Sequence, residues 1–131
     1  MIRKVNILKN KSIRTEFVSF SDEERDQDLC RNLIEAHNLI LRYLEGIDQA
    51  EFLIDSKTQD AVAMRLQQVL ECANKLSPSA KSTLKISWPM LIAMRNKISH
   101  SYVDVDSEIV WQVIHELDEF KNLLIWARKR I

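Results

Sequence analysis

The sequence predicts an all-α protein, an antiparallel bundle of four main helices plus a short helix. The 131-residue chain contains one glycine and two prolines, too few for the turns of a small strand-rich domain. Apolar residues make up 46% of the chain and charged residues 29%, which is the balance of an ordinary globular protein. Most apolar residues recur at three- and four-residue spacing, as on one face of a helix. At this length we expect a single domain.

The beginning of the chain differs from the rest. It is basic at first and acidic from Asp22 onward, and its apolar residues are scattered. We therefore expect an N-terminal arm or extension over residues 1–27, without an assigned role, and a helical bundle domain over residues 28–131. We expect the arm either to be partly disordered or to pack on a neighbour, and an arm that binds nucleic acid is the alternative. The segment Ser21-Asp22-Glu23-Glu24 has the pattern of a helix start, so the first helix can begin early.

The next segments read as two long helices. The first ends at Gly46. A connector over residues 47–57 follows, with a short turn around Gln49–Ile54. The second helix runs from about Thr58 to Leu76, where Ser77-Pro78 stops it. The apolar stripe of the first helix consists of Leu29, Leu33, Ala36, His37, Ile40, Leu41 and Leu44.

Three further helices complete the bundle. A short one covers about Ala80–Lys85, and Ser87-Trp88-Pro89 starts the next, because proline is tolerated in the first helical turn. The last helix begins near Asp106, with Asp106 or Asp104 as its cap. Its apolar face continues unbroken to Ala127, and it ends in three cations that suit a helix C-terminus.

Charge and cysteine usage exclude several classes of protein. With 19 basic and 19 acidic residues, the net charge is zero, so the whole surface does not attract nucleic acid. No apolar run is long enough for a membrane span, and the start lacks the apolar stretch of a signal peptide. We expect Cys30 and Cys72 to be reduced core residues of a cytoplasmic protein. Neither an HExxH pattern nor a Gly-rich loop is present, so no metal or cofactor is predicted.

One short segment concentrates the groups that carry chemistry. Residues 94–106 bring together Arg95, Asn96, His100 and Tyr102 between two helical stretches. A permanent cation beside a titratable imidazole is sufficient to cleave a phosphodiester without a metal. An arginine and a histidine near a helix end can also simply cap carbonyl groups, which is the structural alternative.

The spacing of Arg95 and His100 limits how they can act together. On an unbroken helix, positions five apart differ by about 140° in rotation and ~7.5 Å in rise. The two side chains converge on one ligand if the helix frays near Ser99, or if a second subunit brings its own copy to the same cleft. The weak helix formers after Ser99 favour the break, with His100 at a helix end.

The segment Arg95-Asn96-Lys97-Ile98-Ser99-His100-Ser101-Tyr102 resembles the RxxxxHxY signature of the HEPN superfamily, in its HepT-like toxin branch. The approach through Ser87-Trp88-Pro89 and the continuation over residues 103–111 are similar to the same branch. The resemblance spans roughly residues 29–126. One departure is Leu70, since relatives usually have glycine before the glutamate of the second helix.

This resemblance implies a homodimer in which two motifs face each other across a cleft. It implies a metal-independent endoribonuclease that cleaves RNA, with tRNA as one candidate, rather than DNA. The protein would be the toxin of a type VII-like toxin–antitoxin system, and an MNT-type minimal nucleotidyltransferase would neutralise it by transferring AMP to Tyr102. The implied catalytic residues are Arg95 and His100, while Asn96, Lys97 and Tyr102 support them or bind substrate.

Other interpretations stay open at this point. The chain could be a non-catalytic helical adaptor that binds a nucleotidyltransferase, or a defence protein within a larger complex. Tyr102 could be a partly buried aromatic residue with a satisfied hydroxyl. Asp104 and Asp106 could hold magnesium, although helix capping explains them more simply. The presence of Arg95, His100 and Tyr102 together favours the ribonuclease, because an adaptor has no need of all three.

Overall fold

A computed structural model describes residues 21–100 and 106–131, with only the helical backbone of Ser99 and His100. All regular structure in these ranges is helical, which confirms the predicted fold class. None of the helices described is both long and apolar enough to cross a membrane. In chain order the helices are α1 (Asp22–Tyr43), α2 (Gln49–Phe52), α3 (Ser56–Asn74), α4 (Pro78–Thr83), α5 (Trp88–His100), α6 (Ser107–His115) and α7 (Asp118–Arg128).

The first helix begins at the capping pattern that the sequence predicts. The Ser21 hydroxyl accepts a hydrogen bond from the Glu24 amide at 3.1 Å, and the Glu24 carboxylate accepts one from the Ser21 amide at 3.1 Å. This reciprocal pair satisfies two amides that a helix start leaves without partners. Helix α1 therefore includes residues 22–27, which the sequence analysis placed in the arm. Residues 1–20 lie outside the described residues, and the division into arm and bundle stays a prediction.

The centre of the fold is the contact of α1 with α3. Gly46 adopts φ +74°, a left-handed conformation that glycine adopts without strain, and it turns the chain after α1. A second capping box, between Asp48 and Glu51, then starts α2 before α3 returns along α1. The side chains at this contact with no exposed surface are Cys30, Leu33, Ile40, Val62, Leu66 and Val69.

Both cysteines carry free thiols, as expected. Burial is the main reason that the pKa of the Cys30 thiol rises to about 11, and burial also raises the pKa of the half-buried Cys72. Because the thiolate is the reactive form, two raised pKa values indicate inert packing residues.

The short helix α4 ties three parts of the bundle together. Asp26 on α1 accepts hydrogen bonds from the Ser77 amide at 2.9 Å and the Ser77 hydroxyl at 2.6 Å, just where α4 begins. Thr83 at the other end of α4 accepts a hydrogen bond from the Trp126 indole of α7 at 3.1 Å. Helix α4 starts at Pro78, two residues before the predicted position, since proline suits the first helical turn.

The predicted single last helix is wrong, because it divides into α6 and α7. The Leu117 backbone is extended, with φ −76° and ψ 118°, and no side chain caps the new helix start. Glu116 and Leu117 both donate their amides to the Gln112 carbonyl, at 2.7 and 3.0 Å, which closes α6. Helix α6 packs against α3, whereas α7 packs against α1. The chain must change direction between these two surfaces, although the apolar pattern runs through the break.

Candidate active site

Helix α5, which carries Arg95, is attached to the bundle by a narrow apolar face. Leu91 and Ile98 are buried, and their seven-residue spacing puts them on the same side of the helix. Met94 lies half-buried between them, and this face packs against α3. Asn96, on the opposite side of the helix, and Lys97, on its flank, are exposed. Among the described residues, little covers the side of α5 that carries Asn96.

Arg95 is held by its neighbour in the motif. Its Nη2 donates a hydrogen bond of 2.8 Å to the Asn96 side-chain oxygen. The side chain is half-buried, and its Nε has no hydrogen-bond partner among the described residues. A guanidinium carries five N–H donors in a planar fork that matches a phosphate or carboxylate. The Nε is itself buried, so the donors that Arg95 can offer to an anionic ligand are the remaining ones of its two terminal nitrogens.

Helix α5 spans Trp88–His100, so the helix is not interrupted before the motif histidine. Residues 101–105 lie outside the described residues, and the predicted break beyond this point, with His100 at the helix end, stays a prediction. The side chain of His100, and the whole of Tyr102 and Asp104, lie outside the described residues.

Lys97 lies on the side of α5 that faces α6. It lines an apolar hollow between the two helices and shares it with Asp106. The remaining lining residues are Met94, Ile98, Ile109, Val110 and Val113. The ammonium group is exposed, and the hollow itself offers hydrophobic side chains rather than donors. The structure thus brings Arg95 and Asn96 into direct contact and places Lys97 on a neighbouring face.

Asp106 acts as a helix cap. Its carboxylate accepts a hydrogen bond of 2.9 Å from the Glu108 amide at the start of α6. Within residues 21–98 and 106–131, no group of three or more histidine, cysteine or acidic side chains could hold a metal ion. Of the two explanations that the sequence left open for this residue, capping is the one that the described contacts support.

The two histidines outside the motif occupy very different environments. His37 is buried, and its Nδ1 lies 3.2 Å from Nη2 of Arg128 on α7. Burial, with a further contribution from the Arg128 charge, lowers the pKa of His37 to about 4. His115 is exposed, stacks on Trp111 at 3.8 Å between ring centroids, and has its Nδ1 3.0 Å from the Trp111 carbonyl. His37 is thus a core residue, as its place on the predicted apolar stripe indicates, and His115 is held at the surface by Trp111.

Sequence reasoning from net charge missed an uneven distribution of charge around α5. Residues 72–103 contain no aspartate or glutamate and carry five cations, whereas residues 104–119 contain six acids and no lysine or arginine. The five cations are Lys75, Lys81, Lys85, Arg95 and Lys97. A count over short windows would have revealed the boundary, but the sum over the whole chain conceals it. The motif lies at this boundary.

Comparison with known proteins agrees with the resemblance found in the motif. A family model described as Ribonuclease HepT-like matches residues 33–125. A Thermococcus cleftensis protein named probable ribonuclease HepT is 31% identical over 91 residues, which cover 69% of this chain and 83% of that protein. A Methanocaldococcus jannaschii protein named as a candidate RNase is 26% identical over 84 residues, covering 63% and 69% respectively. No solved structure gives a significant match.

Proposed function

Because the chain belongs to the ribonuclease HepT-like family, we propose that it is a metal-independent endoribonuclease with Arg95 and His100 as its catalytic residues. The observation that carries the proposal is Arg95 itself. Its Nη2 is hydrogen-bonded to Asn96 on a largely exposed helix, and among the described residues its terminal nitrogens have no other partner. Such a cation is suited to bind the scissile phosphate and to stabilise the charge that develops on it.

The chemistry requires only groups that RNA and the motif provide. The 2′-hydroxyl attacks the adjacent phosphorus while a histidine accepts its proton, and the bond to the 5′-oxygen breaks as a second acid donates a proton to it. An imidazole with an ordinary pKa near ~6.5 can fill either role. The products are a 2′,3′-cyclic phosphate and a free 5′-hydroxyl. DNA lacks the attacking hydroxyl, so RNA is the substrate.

We propose a homodimer as the active form. Helix α5 is continuous through His100, and positions 95 and 100 of one unbroken helix are about 140° apart. A second copy that faces the first would supply Arg95 and His100 from different subunits to one phosphate. The two histidines could then divide the base and acid roles. Asn96 would orient the arginine, and Lys97 would add positive charge near the substrate.

The protein would act as the toxin of a toxin–antitoxin pair. The RxxxxHxY pattern, which ends at Tyr102, supports a partner of the minimal nucleotidyltransferase type that transfers AMP to the phenol. The added phosphate would bring negative charge beside Arg95 and repel the phosphates of RNA. Tyr102→Phe should fold normally and should not gain the mass of AMP when it is incubated with the partner and ATP. AMP on the Phe variant would contradict this assignment.

The decisive experiment is RNA cleavage in EDTA by the wild type, His100→Ala and His115→Ala. His115→Ala is the matched control, since it removes an exposed imidazole outside the motif. We expect the wild type and His115→Ala to produce cyclic-phosphate ends, and His100→Ala to lose activity by ~10²–10⁴-fold. Equal cleavage by all three would refute the assignment of His100. A wild type that lacks AMP, binds the nucleotidyltransferase and cleaves no RNA would instead support the adaptor.

A further inference from the structure

The residues before and after the motif differ in charge, so the two sides of the candidate site are not equivalent for an anionic ligand. On one side of Arg95 the chain forms α4 and α5 from a stretch without acids, and on the other it forms α6 from a stretch without lysine or arginine. The exposed side chains of α6 and its end include Glu108 and Glu116, and Asp106 lies beside Lys97. A polyanion that occupies the motif would be repelled on the α6 side.

The flank of α5 that leads toward α4 has the opposite character. Trp88 and Arg95 are seven residues apart, so they lie on the same side of the helix, separated by ~10.5 Å along its axis. The Lys81 ammonium lies 5.3 Å from the centre of the Trp88 ring and donates a hydrogen bond of 2.6 Å to the Asn74 carbonyl. Lys81 is therefore a cation held in place at the far end of the flank, with two donors to spare.

Lys85 is an exposed cation in the turn between α4 and α5, and within the described residues it makes no ion pair. Ile92, 37% exposed, lies one helical turn before Arg95. The half-buried acid of the neighbouring helix α3, Glu71, accepts a hydrogen bond from Gln67 at 3.1 Å. Positive charge thus dominates the path from the motif to Lys85, whereas the residues of α4 beyond it lie beside Asp22, Glu23 and Asp26 of α1.

We propose that single-stranded RNA extends from the motif along the α4–α5 flank, where Lys85 binds a backbone phosphate and Lys81 adds a fixed positive charge. This inference rests on the proposed ribonuclease function and adds the direction of the substrate and a contact remote from the chemistry. Neutralised phosphates release counterions, so such contacts strengthen binding without reading the base sequence.

The first test is binding of an unstructured oligoribonucleotide in EDTA, in a His100→Ala background that prevents cleavage. Lys85→Ala should weaken binding several-fold and reduce the slope of log K against log salt by about 0.7, the value for one phosphate contact on a single strand. Lys85→Arg should retain both the affinity and the salt dependence of the parent protein. Lys121→Ala, which removes an exposed cation from α7, should change neither. If Lys85→Ala has no effect and Glu108→Gln strengthens binding several-fold, RNA runs over α6 and the proposal is wrong.

Cleavage kinetics distinguish the loss of an RNA contact remote from the catalytic residues from a general loss of activity. With the catalytic residues intact, Lys85→Ala should raise KM for the longer RNA and leave cleavage of a dinucleotide unchanged. An equal loss on both substrates would overturn the proposal. If the wild type binds RNA through Lys85 but cleaves none, the surface assignment stands and the proposed function fails. If the wild type cleaves RNA and Lys85→Ala matches it on every substrate, only this inference fails.

Discussion

The scaffold formed by α1, α3 and α7 differs sharply from α5, the motif helix. The scaffold contains many side chains with no exposed surface, whereas over its described side chains α5 buries only Leu91 and Ile98. The scaffold residues without exposure include Leu33, Ile40, Leu66, Val69, Phe120 and Leu123. The scaffold side chains form the water-excluding core, whereas α5 carries mostly polar or exposed side chains that face solvent.

This difference separates stability from chemistry. Each buried apolar side chain contributes roughly 1.5–3 kcal/mol by leaving water. Exposed polar residues of α5 contribute little free energy of this kind, so they can differ in sequence to suit a ligand while the fold stays stable. We therefore expect substitutions in the scaffold to act on unfolding and substitutions in the motif helix to act on RNA cleavage.

The largest expected effect is on stability, at Phe120 of α7. Its ring is fully buried and meets the His37 ring edge-on at 5.8 Å between centroids. Phe120→Ala should lower the free energy of unfolding in urea by ~3–5 kcal/mol, because it leaves a cavity that the scaffold cannot fill. Ile125→Ala on the same helix is the control, since Ile125 is 52% exposed and should cost below ~1 kcal/mol. Equal losses in the two variants would show that the scaffold is not closely packed there.

At Arg95 we expect a large effect on RNA cleavage and a small effect on stability. Arg95→Lys keeps the charge but loses the planar fork that matches a phosphate. We expect RNA cleavage to fall about 10²-fold, while the free energy of unfolding changes by less than about 1 kcal/mol. Lys121→Arg, a change of cation type on an exposed surface, should alter neither quantity. A large loss of stability in Arg95→Lys would mean that α5 depends on this side chain structurally.

A pH effect on stability is expected in the scaffold, at His37. The folded pKa of His37 is about 4, below its ordinary 6.5, so the unfolded chain binds the proton first as the pH falls. The contribution of His37 is therefore complete above pH ~6.5 and is lost toward pH ~4. Between pH 7.5 and pH 5 this amounts to about 2 kcal/mol.

The measurement is the free energy of unfolding at both pH values for the wild type and His37→Gln. Glutamine can still accept from Arg128 but does not titrate. The wild type should lose about 2 kcal/mol more than the variant over this range. Parallel pH profiles for the two proteins would contradict the lowered pKa of His37.

The smallest expected effect is at the start of α4. Ser77 caps this helix by accepting from the Ala80 amide at 3.1 Å, and its hydroxyl donates to Asp26. Ser77→Ala should destabilise the protein by about 1 kcal/mol, the usual cost of a lost cap. Ser79→Ala, at an exposed position of the same helix, should be nearly neutral. If the two variants unfold at the same urea concentration, the link from α4 to α1 carries no measurable stability.

Local signals in the sequence determined most of the elements. The capping pattern at Ser21, the left-handed turn at Gly46 and the proline-led start of α5 each depend on residues a few positions apart. The motif is equally local, since Arg95 and Asn96 are adjacent on one helix. Such features are readable because backbone geometry fixes them wherever the segment lies in the fold.

Only the tertiary structure decided the break at Leu117 and the pairing of His37 with Arg128. The apolar pattern of residues 109–127 is compatible with one helix or with two. Two helices form because α6 packs against α3, whereas α7 packs against α1. The sequence by itself thus determined what each segment prefers and which groups carry the chemistry. Packing between distant segments decided where these local preferences are overridden, because the free energy of burying apolar surface exceeds the small differences in helix propensity.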